Sequence, residues 1–257
     1  MDRLPLSVAI ISFNEEANLP RTLKSIEDVA SEIIIVDSHS TDRTVEIAKE
    51  FGAKVYIEDW KGHIAQKNSA LEKCTQPWIL ALDCDEVLTD ELRHSVTGAV
   101  ISGAADGYVL NRRTFYAGKF LRFSWQPDRK LRLVKKTAKP EWGGYNPHDV
   151  LSISGTESKL KGDLHHFSFK DVSDHFQRTV SYAKIAADSY HKRGKKFSLF
   201  RLLFNPPAAF IKKYFFRFGF LDGFRGFIVA FSSFVSVAMK YIFLWEIEKT
   251  AKDDSDS

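Results

Sequence analysis

The stretch Trp78-Ile79-Leu80-Ala81-Leu82-Asp83-Cys84-Asp85 decides how this chain is read. Five apolar residues follow Pro77, which predicts a short buried strand over Trp78 to Leu82. Two carboxylates, one residue apart, then stand where that strand leaves its sheet. Like charges held together repel unless something positive joins them. A hard divalent cation that also takes diphosphate oxygens is one answer, because Mg2+ binds through one or two carboxylates plus substrate phosphates. A solvated D-x-D turn is the other, since Asp is a common turn residue.

The residues before this stretch repeat one pattern. Apolar runs at Leu6 to Ser12, Glu32 to Val36 and Lys54 to Ile57 predict three further strands. Between them lie helical patterns: one after Asn18, which could cap it; one capped by Ser40 or Thr41 and ended by Gly52; one over Ile64 to Lys73. Another follows Thr89 as cap. Strand and helix alternating with short connections predict an α/β fold, a Rossmann-like, mostly parallel sheet with flanking helices. Such sheets bind ligands beyond the carboxyl ends of their strands. Asn14, Glu15, Asp37, Asp83 and Asp85 all fall at such ends.

From Asp106 the pattern changes. Short strands are predicted at Tyr108 to Thr114, Lys130 to Val134, Val150 to Ile153 and Leu164 to Phe169, then an amphipathic helix over Asp171 to Arg193. Beyond Lys192 basic residues interleave with aromatics; the chain has 21 Phe, crowded into its last third. Basic and aromatic residues on amphipathic helices suit an anionic membrane surface. Pro206-Pro207 is expected to separate two such helices. Phe227 to Trp245 meets the length needed to span a bilayer, but Ser232, Ser233 and Ser236 favour an interfacial or packed helix. The tail Lys252 to Ser257 reads as disordered.

Bulk properties set limits. The 257 residues suffice for one large domain or one domain with an appendage. A formal net charge of +4 does not by itself argue for nucleic acid. Cys74 and Cys84 have no CxxC spacing, which gives neither a disulfide framework nor a zinc site and fits a reducing compartment. Met1 to Pro5 leads straight into a strand pattern and reads as no signal peptide.

Four motifs in order give the chain a resemblance. Ile10-Ile11-Ser12-Phe13-Asn14-Glu15-Glu16, Val36-Asp37-Ser38-His39-Ser40-Thr41-Asp42-Arg43-Thr44, Gln66-Lys67-Asn68 and Leu82-Asp83-Cys84-Asp85-Glu86 resemble "TYNEE", "VDDGSTDGT", "ARN" and "LDADE" of the family 2 glycosyltransferases. Later stretches are similar to the lipopolysaccharide core β-glucosyltransferase group. They are Pro127 to Leu133 ("PDR…RL"), Pro147-His148-Asp149 ("VHE"), Gly162 to Phe169 ("G-L-HYSY"), and Gly219 to Gly223 with Gly226-Phe227 ("GFLDG…GF"). Asp stands for Glu at 149 and Pro for Val at 147.

The resemblance implies a GT-A fold and an inverting transfer of a sugar, glucose in this group, from a UDP-sugar to a lipid-linked glycan such as the lipopolysaccharide inner core. It implies Mg2+ or Mn2+ as cofactor and work at the cytoplasmic face of the inner membrane, peripheral rather than spanning. Transfer to a polyprenyl phosphate, or a non-catalytic sugar-nucleotide sensor, remain alternatives. Ser12, Phe13, Asn14, Glu15, Asp37, Lys67 and Asp83 would bind the nucleotide sugar. Asp37 would take the uracil N3–H, Phe13 would offer a stacking face, and Lys67 would approach the base or diphosphate. Lys67 could equally be a solvated helix lysine. Asp85 would hold the metal, and Glu86 either assists or opens the next helix. Asp149 would be the base that takes the acceptor's proton. Arg129, Arg132 and His148 would grip acceptor phosphates, or the two arginines line a solvated strand face. His165 and His166, adjacent on a strand, point to opposite faces and are not expected to share a metal. The expected organisation is a glycosyltransferase domain over 1–190, split near residue 100 into nucleotide and acceptor halves, then a membrane-associating region to 249 and a tail.

Overall fold

A computed structural model describes residues 3–145 and 148–253, without the side chains of Tyr145, His148 and residues 251–253. The chain divides into two compact units, one of residues 1–113 and 127–167, the other of 114–126 and 168–257.

In the first unit the strands are β1 (Leu4–Ser12), β2 (Ala30–Asp37), β3 (Lys54–Ile57), β4 (Trp78–Asp83), β5 (Glu86–Leu88) and β6 (Gly107–Tyr116), whose last residues enter the second unit. The two-residue β7 (Lys119–Phe120) lies in the second unit, and β8 (Arg129–Lys135), β9 (Glu141–Tyr145), β10 (His148–Ser152) and β11 (Glu157–His166) return to the first. Helices α1 (Leu19–Lys24), α2 (Thr44–Glu50), α3 (His63–Lys73) and α4 (Asp90–Ser102) join the early strands. The order β3-β2-β1-β4-β8-β6-β11-β5 is parallel as far as β4. The pairings of β8 with β4 and β6, and of β11 with β5, are antiparallel. β9 and β10 form a separate hairpin.

Alternation along the strands builds two cores. Val8, Ile10, Leu80 and Leu82 face one cluster with Leu19, Leu23 and Leu92. Ala9, Ile79 and Ala81 face the other with Ala70, Leu71 and Trp142. Asp83 continues the second series and Cys84 joins the first, buried as a small hydrophobe. Parallel register sets Ser12 opposite Asp37 and Ile11 opposite Asp83, so both carboxylates reach the same edge.

Several local expectations are corrected. Asn18 does not cap α1; its Nδ2 donates to Glu15 Oε2 (2.9 Å). Ser40 and Thr41 do not cap α2, which starts at Thr44, because Asp37 captures the Ser40 hydroxyl and amide. Thr89 does cap α4, accepting from Leu92 N. Glu86 begins β5 and opens no helix. β11 starts earlier than expected, at Glu157. Gly162 allows its close approach to α4: at φ +87, an added Cβ would lie 2.4 Å from Leu92 N.

The second unit is helical: α5 (Val172–Lys192), α6 (Leu199–Ile211), a π-helical turn (Lys212–Phe216), a short 3-10 turn (Gly219–Asp222) and α7 (Phe224–Asp253). Pro206-Pro207 does not break α6. Two backbone donors are lost, but α6 packs along α7, with Pro206 buried and Asn205 Nδ2 donating to Tyr241 OH (2.7 Å). α7 runs on to Asp253, into the first residues of the expected tail; 254–257 lie outside the described residues. Tyr116, Leu121 and Val229 centre this core. The Tyr116 hydroxyl meets His175 Nδ1 (2.8 Å), and burial pushes His175 down to about 4, so its imidazole is neutral at pH 7.

The Gly219–Phe227 motif has a packing explanation. A Cβ on Gly226 would stand 1.7 Å from Gly219 O. The Asp222 carboxylate accepts from the amides of Arg122 (2.9 Å), Phe123 (3.1 Å) and Ser124 (2.6 Å). Among the described residues α7 is the one helix long and apolar enough to cross a membrane, with 28% of its most apolar window buried.

Candidate functional site

The carboxyl edge of the parallel strands carries the acidic residues singled out from the sequence. Asp37 ends β2 fully buried. Its Oδ1 accepts from Ser40 N (2.8 Å), and its Oδ2 from the hydroxyls of Ser40 (2.6 Å) and Ser12 (2.7 Å). An ionised carboxylate has about four acceptor sites, so one remains. Phe13 next to Ser12 is 56% exposed. Asn14, at φ +53, accepts from Thr41 N with Oδ1 (2.8 Å) and locks the two motif loops together. The Glu15 amide donates to the Thr44 hydroxyl (2.7 Å).

Lys67 is no solvated helix lysine. Its side chain is 11% exposed, and Nζ lies 2.9 Å from Asp83 Oδ1 and 2.7 Å from Asp149 Oδ2, over the Trp142 ring. Asn68, the next residue, fixes this geometry: Nδ2 donates to Trp142 O (2.9 Å) and Oδ1 accepts from Trp142 N (2.8 Å). α3 is thereby clamped to β9, whose partner β10 carries Asp149. The ammonium thus joins the first carboxylate of the D-x-D to an aspartate 82 residues from the lysine in sequence.

Arg132 departs from both of its readings. It is neither on a solvated face nor open to an acceptor, being 2% exposed in β8 between β4 and β6. One guanidinium nitrogen pairs with Asp83 Oδ2 and Glu86 Oε1, both at 2.8 Å. Glu86, fully buried, also takes Arg112 Nη1 (3.2 Å), while Arg112 Nε donates to Asp128 (2.7 Å). Burial disfavours ionisation of Asp83, yet Lys67 and Arg132 more than offset it and hold its pKa well below the usual range. Burial likewise lowers Lys67 and Arg132, and their carboxylate partners return both to above their ordinary values. Asp149 follows the same rule: burial raises it, Lys67 outweighs burial, and it titrates below a free Asp. Arg129 is exposed and forms no ion pair among the described residues. The side chain of His148, and Pro147 of the same motif, lie outside the described residues.

Asp85 stands outside this network. Its side chain is 22% exposed, and Oδ2 lies 3.3 Å from His166 Nε2. The other ring nitrogen of His166 is buried without a partner, the mark of an incomplete polar site. Among the described residues no three His, Cys, Asp or Glu side chains close on a metal position. The residues fit a cation held differently, by one carboxylate with the remaining positions left for diphosphate oxygens and water, as Mg2+ prefers.

Sequence reasoning missed Glu86 as a buried anion, Arg112, Trp142 and His166. His165 and His166 are not expected to share a metal, since alternation separates them; in the structure it is His166 that lies 3.3 Å from Asp85.

Comparison with known proteins gives consistent findings. The sequence profile of glycosyl transferase family 2 matches residues 7–157. An uncharacterised glycosyltransferase of Rickettsia typhi is 33% identical over 249 residues, covering 91% of this chain and 85% of the relative. The lipopolysaccharide core biosynthesis glycosyltransferase LpsC of Rhizobium meliloti is 31% identical over 245 residues, covering 91% and 89%. Among solved structures, residues 1–349 of S. aureus TarS superpose with a TM-score of 0.50 at 14% identity, covering 97% of this chain and 91% of that one. That likeness shows the GT-A fold.

Proposed function

The chain belongs to glycosyl transferase family 2, and from that premise we propose that it is an inverting, metal-dependent enzyme that moves glucose from UDP-glucose to a lipid-linked glycan such as the lipopolysaccharide inner core. The observation that carries this reading is the Asp83–Lys67–Asp149 bridge, which sets the family's base position one ammonium away from the D-x-D. The relative named for lipopolysaccharide core biosynthesis supports the acceptor class.

In this reading the uracil N3–H takes the open acceptor site on Asp37, and Phe13 stacks on the base. Lys67 has three donors, two of them engaged; the third serves a diphosphate oxygen. Asp85, beside His166, would hold Mg2+ or Mn2+, and the bound ion would supply positive charge to the diphosphate. Asp149 is ionised at neutral pH and takes the proton of the attacking acceptor hydroxyl. Exposed Arg129 offers a cation to acceptor phosphates. Phe200 (69% exposed), Phe216 (75%) and Phe224 (75%) give the C-terminal unit an apolar, basic surface suited to peripheral contact with the inner membrane's cytoplasmic face.

The test is transfer itself. The full chain, given a panel of UDP-sugars and lipid-linked acceptor extracts with Mn2+, Mg2+ or chelator, should release UDP from UDP-glucose only with metal and acceptor together. UDP binding without release from any donor would point to the sensor instead.

The Lys67 bridge also has a pH signature. Lys67→Met removes the cation that lowers Asp149, leaving burial and Asp83 to raise it. The acid limb of kcat/KM should move to higher pH. Asp149→Asn should keep UDP binding and lose transfer by about 10²- to 10⁴-fold. Loss of UDP binding in that variant would take Asp149 out of the base role.

A further inference from the structure

Every residue lining a cavity of about 550 Å³ in the C-terminal unit lies outside the donor-site set above. Its volume is in the range of sites for small ligands. The lining combines Arg178 of α5, Lys212 and Lys213 of the π-helical turn, Arg217 just after it, and serines of α7. Trp125 and Phe169 form an apolar wall, tilted against each other at 5.3 Å.

The charges here are unbalanced. Arg178 is satisfied by Asp174 (2.9 Å), but among the described residues Lys212, Lys213 and Arg217 form no ion pair. Burial, then the neighbouring Arg217 and Lys212, push Lys213 below its ordinary pKa, and among the described residues no carboxylate pairs with it. Three cations gathered around a half-enclosed space repel one another until an anion joins them. A π-helical turn is itself a rare element that recurs at functional sites. The same turn carries Phe215 and Phe216, 53% and 75% exposed, with Phe218 (55%) just beyond, so an anion bound there would have an apolar surface beside it.

We propose that this cavity binds a phosphate group carried on an apolar stem, the headgroup of an anionic lipid. The cations take the phosphate oxygens and serine hydroxyls complete the shell. The exposed phenylalanines receive the stem. Free phosphate offers the same oxygens without using the apolar surface, so the lipid is the source the surroundings favour. The inference does not rest on the proposed transfer reaction, and its test contains no sugar nucleotide.

Calorimetric titration of the full chain should compare short-chain phosphatidic acid below its micelle concentration, short-chain phosphatidylcholine and inorganic phosphate. Phosphatidic acid is expected to bind at least about tenfold more tightly than phosphatidylcholine, whose choline offsets the phosphate charge, and than inorganic phosphate, which has no stem for the exposed phenylalanines. The double variant Lys213→Met/Arg217→Gln should lose about tenfold or more. Lys195→Gln/Lys196→Gln, which removes the same charge outside the cavity, should not. Equal affinity for the two lipids would overturn the phosphate site. Phosphate binding as tightly as phosphatidic acid would overturn the lipid source. Undiminished binding by the cavity variant would place the site elsewhere. The comparison among ligands uses the wild-type chain, so it decides even if the variant fails to fold.

Discussion

Asp85→Ala should lower turnover by about 10³-fold or more while leaving the melting temperature unchanged. The size follows from the work proposed for this carboxylate, which would anchor a cation that offsets charge on departing UDP. The unchanged stability follows from its surroundings. Among the described residues the Asp85 side chain has one ionisable neighbour at ion-pair distance, His166, and lies outside the Lys67–Asp83–Arg132–Glu86 cluster. Its backbone carbonyl, which accepts from Phe167 N (2.9 Å), survives the substitution. A steady-state assay at saturating donor, with thermal melts of both proteins, measures the two effects separately. Near-normal turnover would remove Asp85 from the metal role. A large drop in melting temperature would mean that it supports the fold.

The parallel half of the sheet was legible because β1, β2 and β4 are buried apolar runs ending in polar motifs. Burial on both faces leaves no alternation to decode, only run, turn and helix. The strand over Trp78 to Leu82 and the D-x-D at its end follow from eight consecutive residues. The antiparallel half was less legible. Arg132 lies between Leu131 and Leu133, and alternation puts such a residue in water. β8 instead lies between β4 and β6, and the face carrying Arg132 meets Asp83 and Glu86. A local pattern cannot disclose that, because the partners come from 46 and 49 residues away. Lys67 was placed near the donor only through a motif; of the ammonium's two partners, Asp83 ends β4, but Asp149 depends on the β9–β10 hairpin, of which only β10 has a clear sequence signal. Pro206-Pro207 shows the opposite failure, a strong local signal overridden by packing of α6 on α7.

Arg132→Met should cause the largest loss of stability of any single change at the site, about 3–5 kcal/mol. Methionine fills much of the volume, so the loss is electrostatic. Among the described residues, the one cation left at ion-pair distance of the fully buried Glu86 is Arg112 (3.2 Å), beside the Asp83 amide that donates to it (3.0 Å), and the one left to Asp83 is Lys67. At roughly 2–4 °C per kcal/mol for a chain of this size, the melting temperature should fall by on the order of 10 °C. Glu86→Gln added to Arg132→Met should recover a large part of that loss, because it removes the uncompensated charge. Simple additivity of the two changes would instead show that they are not coupled. A single variant within about 1 kcal/mol of wild type would deny the cluster its supporting role. Activity should remain impaired in the rescued double variant, since Asp83 would still lack one of the two cations that fix its carboxylate. The two carboxylates of the D-x-D thus separate by experiment. Substitutions around Asp83 move stability and activity together, because its charge is part of the core's own balance. Substitution of Asp85 should move activity alone, because its charge lies outside that balance and, in the proposed role, would serve a ligand.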